Sequence, residues 1–144
     1  MKVKYYDLKN KRVFVTGGGS GIGASIVEHF CEQGSEVYFI DINVSESEKL
    51  IEEIKNKKYS IPTFIECDLL NIKQLQKIIA DIIDQKGPIN ILINNAANDT
   101  RHKIDDVTEE YWNERINVNL RHFFFTVQSV KKSMIDNGGG VIIN

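Results

Sequence analysis

The chain has 144 residues, of which 42% are hydrophobic and 26% are charged, and its formal net charge is −2. This length fits one domain with a substantial core, and the composition argues against a disordered or fibrous protein. Lysine and arginine are scattered among the acids, which argues against a nucleic-acid partner.

Cys31 and Cys67 are the only cysteines, and no His or Cys residues stand at metal-ligand spacing. The sequence therefore predicts two reduced core cysteines and no metal site. Residues 1–11 lack the apolar segment of a signal peptide, and no apolar run approaches the roughly 20 residues of a membrane helix. We expect a soluble, cytoplasmic protein without a membrane partner.

The first predicted elements enclose a glycine-rich stretch. Residues 13–15 are an apolar run typical of a buried strand, residues 16–23 read TGGGSGIG, and residues 22–33 form an amphipathic pattern closed by Gly34. A glycine-rich turn between a strand and a helix N-terminus is an anion site, because its N–H groups point outward and the helix dipole favours negative charge. The alternative is a tight connection that binds nothing.

A second strand and helix follow directly. Residues 36–40 predict a short strand that leads into Asp41. Residues 45–57 predict a helix whose first turn carries Ser45 and Glu48 at capping-box spacing.

The third strand and helix give the strongest helical signal in the chain. Residues 63–65 predict a strand, and Asp68 follows it closely. Residues 71–85 then predict a helix that ends before Gly87 and Pro88. Its apolar residues recur at i, i+3, i+4, i+7 and i+8: Leu75, Ile78, Ile79, Ile82 and Ile83.

The last part of the chain contains two more predicted strands around a long helix. Residues 89–93 are a continuous apolar run, as expected for a strand covered on both faces, and residues 141–143 predict a fifth strand. Thr108 is the expected N-cap of the intervening helix. That helix carries one predicted apolar stripe: Ile116, Leu120, Phe123, Val127, Val130 and Met134.

Five strands alternating with helices predict an α/β fold, a doubly wound parallel sheet of the Rossmann type, within a single domain over residues 1–144. Ligands of such sheets bind at the C-terminal ends of the strands, near the point where the strand order reverses. The residues that follow each strand are therefore the candidate site.

Asp41 indicates which dinucleotide would bind. An acid after the second strand can accept hydrogen bonds from the ribose hydroxyls of the adenosine half. Its carboxylate would repel the 2′-phosphate of NADP, and neither Ile42, Asn43 nor the glycine turn supplies a Lys or Arg for that phosphate. The pattern favours NAD over NADP. The alternative is that Asp41 only caps a loop or helix.

The order of these motifs resembles the short-chain dehydrogenase/reductase family. Residues 16–23 are similar to its TGxxxGxG pattern, Asp68 to its adenine-contacting acid, and residues 94–97, NNAA, to its NNAG, with Ala97 in place of the usual glycine. Asn119 in WNERINVNL is similar to the family's catalytic Asn. The resemblance implies a cofactor site made of Gly17, Gly19, Ser20, Gly21, Ile22, Gly23, Asp41, Ile42, Asp68, Leu69, Asn95 and Ala96.

A narrower likeness concerns the substrate. Residues 94–122 look like the corresponding stretch of NAD-dependent D-xylose and related aldose 1-dehydrogenases, which implies oxidation of an anomeric hydroxyl to a lactone. The predicted loop at residues 98–106 follows the fourth strand, so Asn98, Arg101 and His102 are candidate substrate contacts. The alternative is a loop that is polar for solvation alone.

The resemblance also implies the chemistry. The family transfers hydride between nicotinamide and an alcohol carbon, using a Tyr as general acid/base, a Lys that lowers the pKa of that Tyr, and a Ser that orients the substrate. No tyrosine here is followed by Lys at the family's spacing on a predicted helix. Asn119 is the one catalytic position present, and its implied role is to hold a water through its backbone carbonyl. We expect residues 1–144 to be the cofactor-binding portion of a longer enzyme, inactive alone.

Two other functions remain open. One is a 3-oxoacyl-thioester reductase of the same family, a class that usually prefers NADPH; the other is a short, non-catalytic nucleotide-binding protein. The family resemblance implies that the long helix packs on its mate in a neighbouring subunit. Residues 123–125 are all Phe and cannot all face one sheet, and residues 141–143 would form an open apolar edge. We expect a homo-oligomer, a dimer or tetramer.

Overall fold

The computed structural model describes residues 3–144. These residues form five strands and five α-helices, which alternate except that α4 and α5 follow one another through a π turn at Asn117–Arg121; 3₁₀ turns lie at Tyr6–Leu8 and Ile104–Asp106. The elements are β1 (Arg12–Thr16), α1 (Gly21–Glu32), β2 (Glu36–Asp41), α2 (Val44–Asn56), β3 (Thr63–Glu66), α3 (Ile72–Lys86), β4 (Ile91–Asn94), α4 (Glu109–Ile116), α5 (His122–Asp136) and β5 (Val141–Ile143).

The five strands form one parallel sheet in the order β3-β2-β1-β4-β5. Phe14 of β1 is opposite Tyr38 of β2 on one side and Leu92 of β4 on the other. The strand order therefore reverses at β1, and its C-terminal end meets the glycine-rich turn. This confirms the predicted doubly wound parallel sheet and places the turn at the switch point.

Alternate residues of the central strand face opposite layers of the core. Val13 and Val15 belong to one buried cluster with Val27 of α1 and Ile54 of α2. Phe14 points to the other face and belongs to a second cluster, which includes residues of α3 and α5: Leu75, Ile79, Ile82, Val130 and Met134. Helices thus cover both faces of the sheet, which explains the continuous apolar runs in the strands.

The predicted N-cap of α2 is wrong by two residues, and the helix begins one residue earlier than predicted. Asn43, not Ser45, has the extended backbone of an N-cap, and its side chain accepts a hydrogen bond from the N–H of Glu46 at 3.2 Å. Asn caps helices as well as Ser does, so the capping-box spacing of Ser45 and Glu48 could not decide between them. The helix begins at Val44.

The long helix begins as predicted but does not run uniformly. Thr108 is its N-cap and accepts from the N–H of Tyr111 at 3.2 Å. The π turn then places one more residue in a turn than an α-helix does, so the apolar face of α4 does not continue into α5.

The predicted apolar stripe of the long helix is consequently wrong in its first half. Ile116 and Leu120 are 40% and 57% exposed. The buried face of α5 instead follows an i, i+4 series that starts with two polar residues: His122, Thr126, Val130 and Met134.

Strand β5 pairs with β4 on one side and with no other strand among residues 3–144. Its three apolar side chains are exposed, as expected for an open edge. None of the helices in the described residues is both long and apolar enough to cross a membrane.

Candidate functional site

Two glycines, one in the turn after β1 and one in the first turn of α1, stand where no larger residue fits. Gly17 has a φ of +65°, and a Cβ there would lie 2.7 Å from the Cα of Ala96. A Cβ on Gly23 would overlap the carbonyl oxygen of Gly17. The turn, the first turn of α1 and the segment after β4 therefore pack backbone to backbone, and this leaves an open surface above the turn.

The N-terminus of α1 lacks the side-chain cap found at those of α2, α3 and α4, whereas α5 continues directly from the π turn. Asn43, Asn71 and Thr108 cap α2, α3 and α4 with their side chains, whereas Ser20 before α1 makes no such bond. The first N–H groups of α1 thus lack a side-chain acceptor and face the open surface at the positive end of the helix dipole. This is the arrangement that binds a phosphate group.

Asp41 ends β2 beside the turn, and both of its carboxylate oxygens are engaged. Oδ2 accepts from the N–H of Gly19 at 2.8 Å, and Oδ1 accepts from the N–H of Asn43 at 2.9 Å. Each oxygen retains a lone pair for a further donor. Asp41 therefore stabilises the turn, which agrees with the alternative that it caps a loop. It also holds its carboxylate in a fixed position at the edge of the sheet.

Asn95 ties the segment after β4 to the turn. Its Nδ2 donates to the carbonyl oxygens of Thr16 at 3.1 Å and of Gly17 at 2.9 Å. The backbone N–H groups of Asn95 and Ala96 both donate to the Thr16 hydroxyl at 3.1 Å. Asn95 thus acts on the site by holding the turn in place.

Asp68 lies after β3 on the same edge of the sheet. Its Oδ1 accepts from the N–H of Leu70 at 2.8 Å, which closes a short turn into α3. Neighbouring Cys67 is buried, and burial raises the pKa of its thiol to about 11. Cys67 is therefore a core residue, as predicted from the sequence.

A cleft of about 790 Å³ runs across these strand ends. No basic side chain of the described residues lines it, whereas Asp41, Asp68, Asp99 and Glu114 do. Apart from Gly19, which lies against Asp41, every predicted cofactor residue lines this cleft: Gly17, Ser20, Gly21, Ile22, Gly23, Asp41, Ile42, Asp68, Leu69, Asn95 and Ala96.

The cleft fits a dinucleotide on structural grounds. The side-chain-free turn and the uncapped start of α1 suit a pyrophosphate, and the Asp41 carboxylate suits ribose hydroxyls. The described residues contain no group of His, Cys, Asp and Glu that could hold a metal ion.

A second groove, of about 740 Å³, adjoins the cleft at Asn98. All three predicted substrate residues line it, namely Asn98, Arg101 and His102. The His102 ring lies 4.0 Å from that of Tyr111, between centroids, and the Tyr111 hydroxyl donates to the carbonyl of Thr100 at 2.7 Å. The loop after β4 is therefore packed against α4.

Asn119 lies in the π turn and lines the second groove. Its side-chain Oδ1 accepts from the N–H of Asn98 at 2.7 Å, and its Nδ2 donates to the Asn98 carbonyl at 3.0 Å. This paired contact holds the start of the loop after β4. The side chain of Asn119 thus has a positioning role, while its predicted backbone role stays a prediction.

The sequence analysis did not predict a group of buried polar residues below the turn, namely Thr16, Asn94, His122 and Thr126. The fully buried His122 approaches the Thr16 hydroxyl with Nε2 at 3.3 Å and the Val118 carbonyl with Nδ1 at 2.7 Å. The hydroxyl of Thr126 donates to Oδ1 of Asn94 at 2.7 Å. The spacing of His122 and Thr126, four apart and in phase with Val130, was the available signal.

Comparison with known proteins gives a consistent result. A family model described as short chain dehydrogenase matches residues 11–144. The D-xylose 1-dehydrogenase of Caulobacter vibrioides is 47% identical over 140 residues, which cover 97% of this chain and 54% of that protein. The probable galactose dehydrogenase GalD of Rhizobium meliloti is 43% identical over 141 residues, 98% of this chain and 55% of that protein.

Solved structures agree with this comparison. The ligand-free aldohexose dehydrogenase of Thermoplasma acidophilum superposes with a TM-score of 0.76 at 32% identity, covering 92% of this chain and 47% of that chain. The chain therefore spans about half the length of the relatives it matches.

Proposed function

Since the chain belongs to the short-chain dehydrogenase family, we propose that it provides the cofactor half of an NAD-dependent oxidoreductase that acts on an alcohol group of a sugar. The observation that carries this proposal is the glycine turn, whose two closely packed glycines open onto the acid-lined cleft. When bound there, the nicotinamide supplies the carbon that accepts or releases hydride.

The choice of NAD rests on Asp41. Hydrogen bonds from Gly19 and Asn43 fix its carboxylate at the end of β2, where the adenosine ribose of a dinucleotide lies in this fold class. A 2′-phosphate would face this negative charge, and the cleft has no basic lining residue among residues 3–144 to offset the repulsion. The same argument disfavours the alternative of an NADPH-dependent 3-oxoacyl-thioester reductase.

Calorimetric titration with NAD and NADP tests this choice. We expect the protein to bind NAD more tightly than NADP. Asp41→Ala should weaken NAD binding and reduce the ratio of NAD affinity to NADP affinity. Glu48→Ala is the matched control, because Glu48 is an exposed acid on α2 that does not line the cleft. Tighter binding of NADP by the unaltered protein would overturn the assignment.

The sugar substrate is proposed from the second groove. Asn98, Arg101 and His102 offer amide, guanidinium and imidazole groups to hydroxyls, and the exposed Trp112 offers an apolar ring face. The similar proteins named as D-xylose and galactose dehydrogenases support an aldose as the substrate class.

The proton-transfer groups are proposed to lie outside the 144 residues. Tyr5 and Lys9 have the family's YxxxK spacing, but they precede β1 and so lie at the opposite end of the strands from the cleft. We therefore expect residues 1–144 to bind NAD without oxidising sugars. An assay of NADH formation with D-xylose, D-galactose and D-glucose tests this, with the product of the full coding region as the active comparison. If the full coding region encodes neither the catalytic Ser nor a YxxxK pair, the non-catalytic alternative would be favoured.

A further inference from the structure

His122 connects the two parts of the site through a buried chain of hydrogen bonds. It is fully buried at the start of α5, directly after the π turn that carries Asn119. Its ring lies between the Val118 carbonyl of that turn and the hydroxyl of Thr16 at the end of β1. The proposed function uses neither of these ring contacts.

The donor and acceptor roles in this chain can be assigned from the contacts. The Val118 carbonyl can only accept, so Nδ1 of His122 carries a proton and donates to it at 2.7 Å. In the neutral ring, Nε2 is then an acceptor. The hydroxyl of Thr16 already accepts from the N–H groups of Asn95 and Ala96, so its own proton is directed to Nε2 of His122.

The environment of the ring supports the neutral state. Burial lowers the pKa of His122, and the bond to the Val118 carbonyl opposes this only in part. A second proton on Nε2 would place a donor against a hydroxyl whose acceptor positions are both occupied. Neutral His122 therefore fits the arrangement and the charged form does not.

From this geometry we propose that His122 is a positioning residue: its Nε2 orients the Thr16 hydroxyl, which in turn holds the Asn95–Ala96 backbone against the glycine turn. The π turn supplies the other anchor, since it carries the Val118 carbonyl that accepts from Nδ1 of His122 at 2.7 Å. The inference rests on the proposed function only in treating the glycine turn as a cofactor site.

Two substitutions separate the two ends of the ring. In His122→Asn, the side-chain amide reaches the level of Nδ1, so it can keep the bond to Val118 but not the one to Thr16. In His122→Gln, the longer side chain reaches the level of Nε2 and can accept from Thr16. His122→Asn therefore removes the acceptor for the Thr16 hydroxyl, and His122→Gln is the matched control that keeps it.

Amide hydrogen exchange of the nucleotide-free protein gives the first readout. We expect the Asn95 and Ala96 amides to exchange about tenfold faster in His122→Asn, and within about twofold of the unaltered protein in His122→Gln. A general loss of stability would instead accelerate the protected amides of β1 and β2 by the same factor. Equal exchange of Asn95 and Ala96 in all three proteins would overturn the proposal.

Nitrogen NMR of the histidine rings gives a readout that needs no variant. At neutral pH, we expect His122 to be neutral with the proton on Nδ1. Detection of the proton on Nε2, or of a charged ring, would overturn the proposal even if His122→Asn fails to fold.

Titration with NAD then separates this inference from the proposed function. We expect His122→Asn to bind NAD about tenfold more weakly than His122→Gln does. If the unaltered protein binds no NAD but the exchange and tautomer results are as expected, the proposed function fails and the role of His122 stands.

Discussion

The close approach between Gly23 and Gly17 gives a sharp test at the scale of single residues. We expect Gly23→Ala to destabilise the protein by about 2 kcal/mol or more, because its Cβ would overlap a backbone oxygen that cannot rotate away. The same change should abolish NAD binding by displacing the turn. Denaturant unfolding and calorimetry measure the two effects.

Ser25→Ala is the control for Gly23→Ala, because Ser25 is an exposed position of the same helix. We expect little change in either stability or NAD affinity, since alanine favours the helix. Similar results for the two variants would contradict the packing described for the turn.

His122 makes a second prediction, on pH. Its folded-state pKa is lowered by burial, so below about 6.5 the unfolded chain binds a proton that the folded protein does not. The free energy of unfolding should therefore decrease as the pH falls below about 6.5, until the folded-state pKa is reached. Denaturant unfolding at a series of pH values measures this, and His122→Gln should remove that part of the dependence. An identical pH profile in His122→Gln would contradict a neutral, buried His122.

The two cysteines make a third prediction. Burial, with a smaller contribution from a nearby acid, raises the pKa of Cys31 to about 12 and that of Cys67 to about 11. Thiolate is the reactive form, so a thiol-specific reagent at pH 8 should label neither residue in the folded protein and both after unfolding. Rapid labelling of the folded protein would contradict their burial.

At the scale of elements, α2 offers a direct comparison of two capping residues. Asn43→Ala should destabilise the protein by about 1 kcal/mol, because the N–H of Glu46 loses its acceptor. Ser45→Ala should have almost no effect, since Ser45 is exposed within the first turn. Thermal or denaturant unfolding of the two variants measures the difference, and a larger loss in Ser45→Ala would contradict the observed start of α2.

Most elements could be predicted from the sequence because their signals are local. The apolar runs of β1 and β4 and the i, i+4 spacing of Leu75 and Ile79 each reflect contact with a buried cluster on one face of the sheet. The cap of α2 could not be assigned, because Asn43 and Ser45 have similar capping propensities. The face of the long helix was mispredicted because a π turn changes the phase of the helix and leaves no composition signal.

In the candidate site, too, the features with local sequence signals could be predicted and the long-range side-chain contacts could not. The strand ends and the glycine turn could be predicted, because a parallel sheet brings the residues after each strand to one edge. The bonds from Asn95 to the turn, from Asn119 to Asn98 and from His122 to Thr16 could not, because they join residues distant in sequence through side-chain geometry.

At the scale of the whole molecule, α4, the π turn and α5 present apolar side chains to solvent. Leu120 is 57% exposed and Phe124 is 65% exposed, and Ile116 lies on the same helical segment. Side chains of this size, together with the open edge of β5, favour self-association. We propose that the protein forms dimers or tetramers through the long helix.

Light scattering measures that association. We expect a mass of two or four chains for the unaltered protein and a shift toward one chain for Phe124→Glu. Ile61→Glu is the control, because Ile61 is equally an exposed apolar residue but lies in the loop before β3. A stable single-chain mass for the unaltered protein would contradict the proposal.

The central claim is that one cleft at the strand ends binds NAD. Amide hydrogen exchange of the protein with and without NAD tests it most directly. We predict slower exchange at the segments that line the cleft, residues 17–23, 41–42, 68–69 and 95–96, and no change near Tyr5 and Gln33 at the other end of the sheet. The absence of any protection by NAD, or protection confined to the region of Tyr5 and Gln33, would contradict the claim.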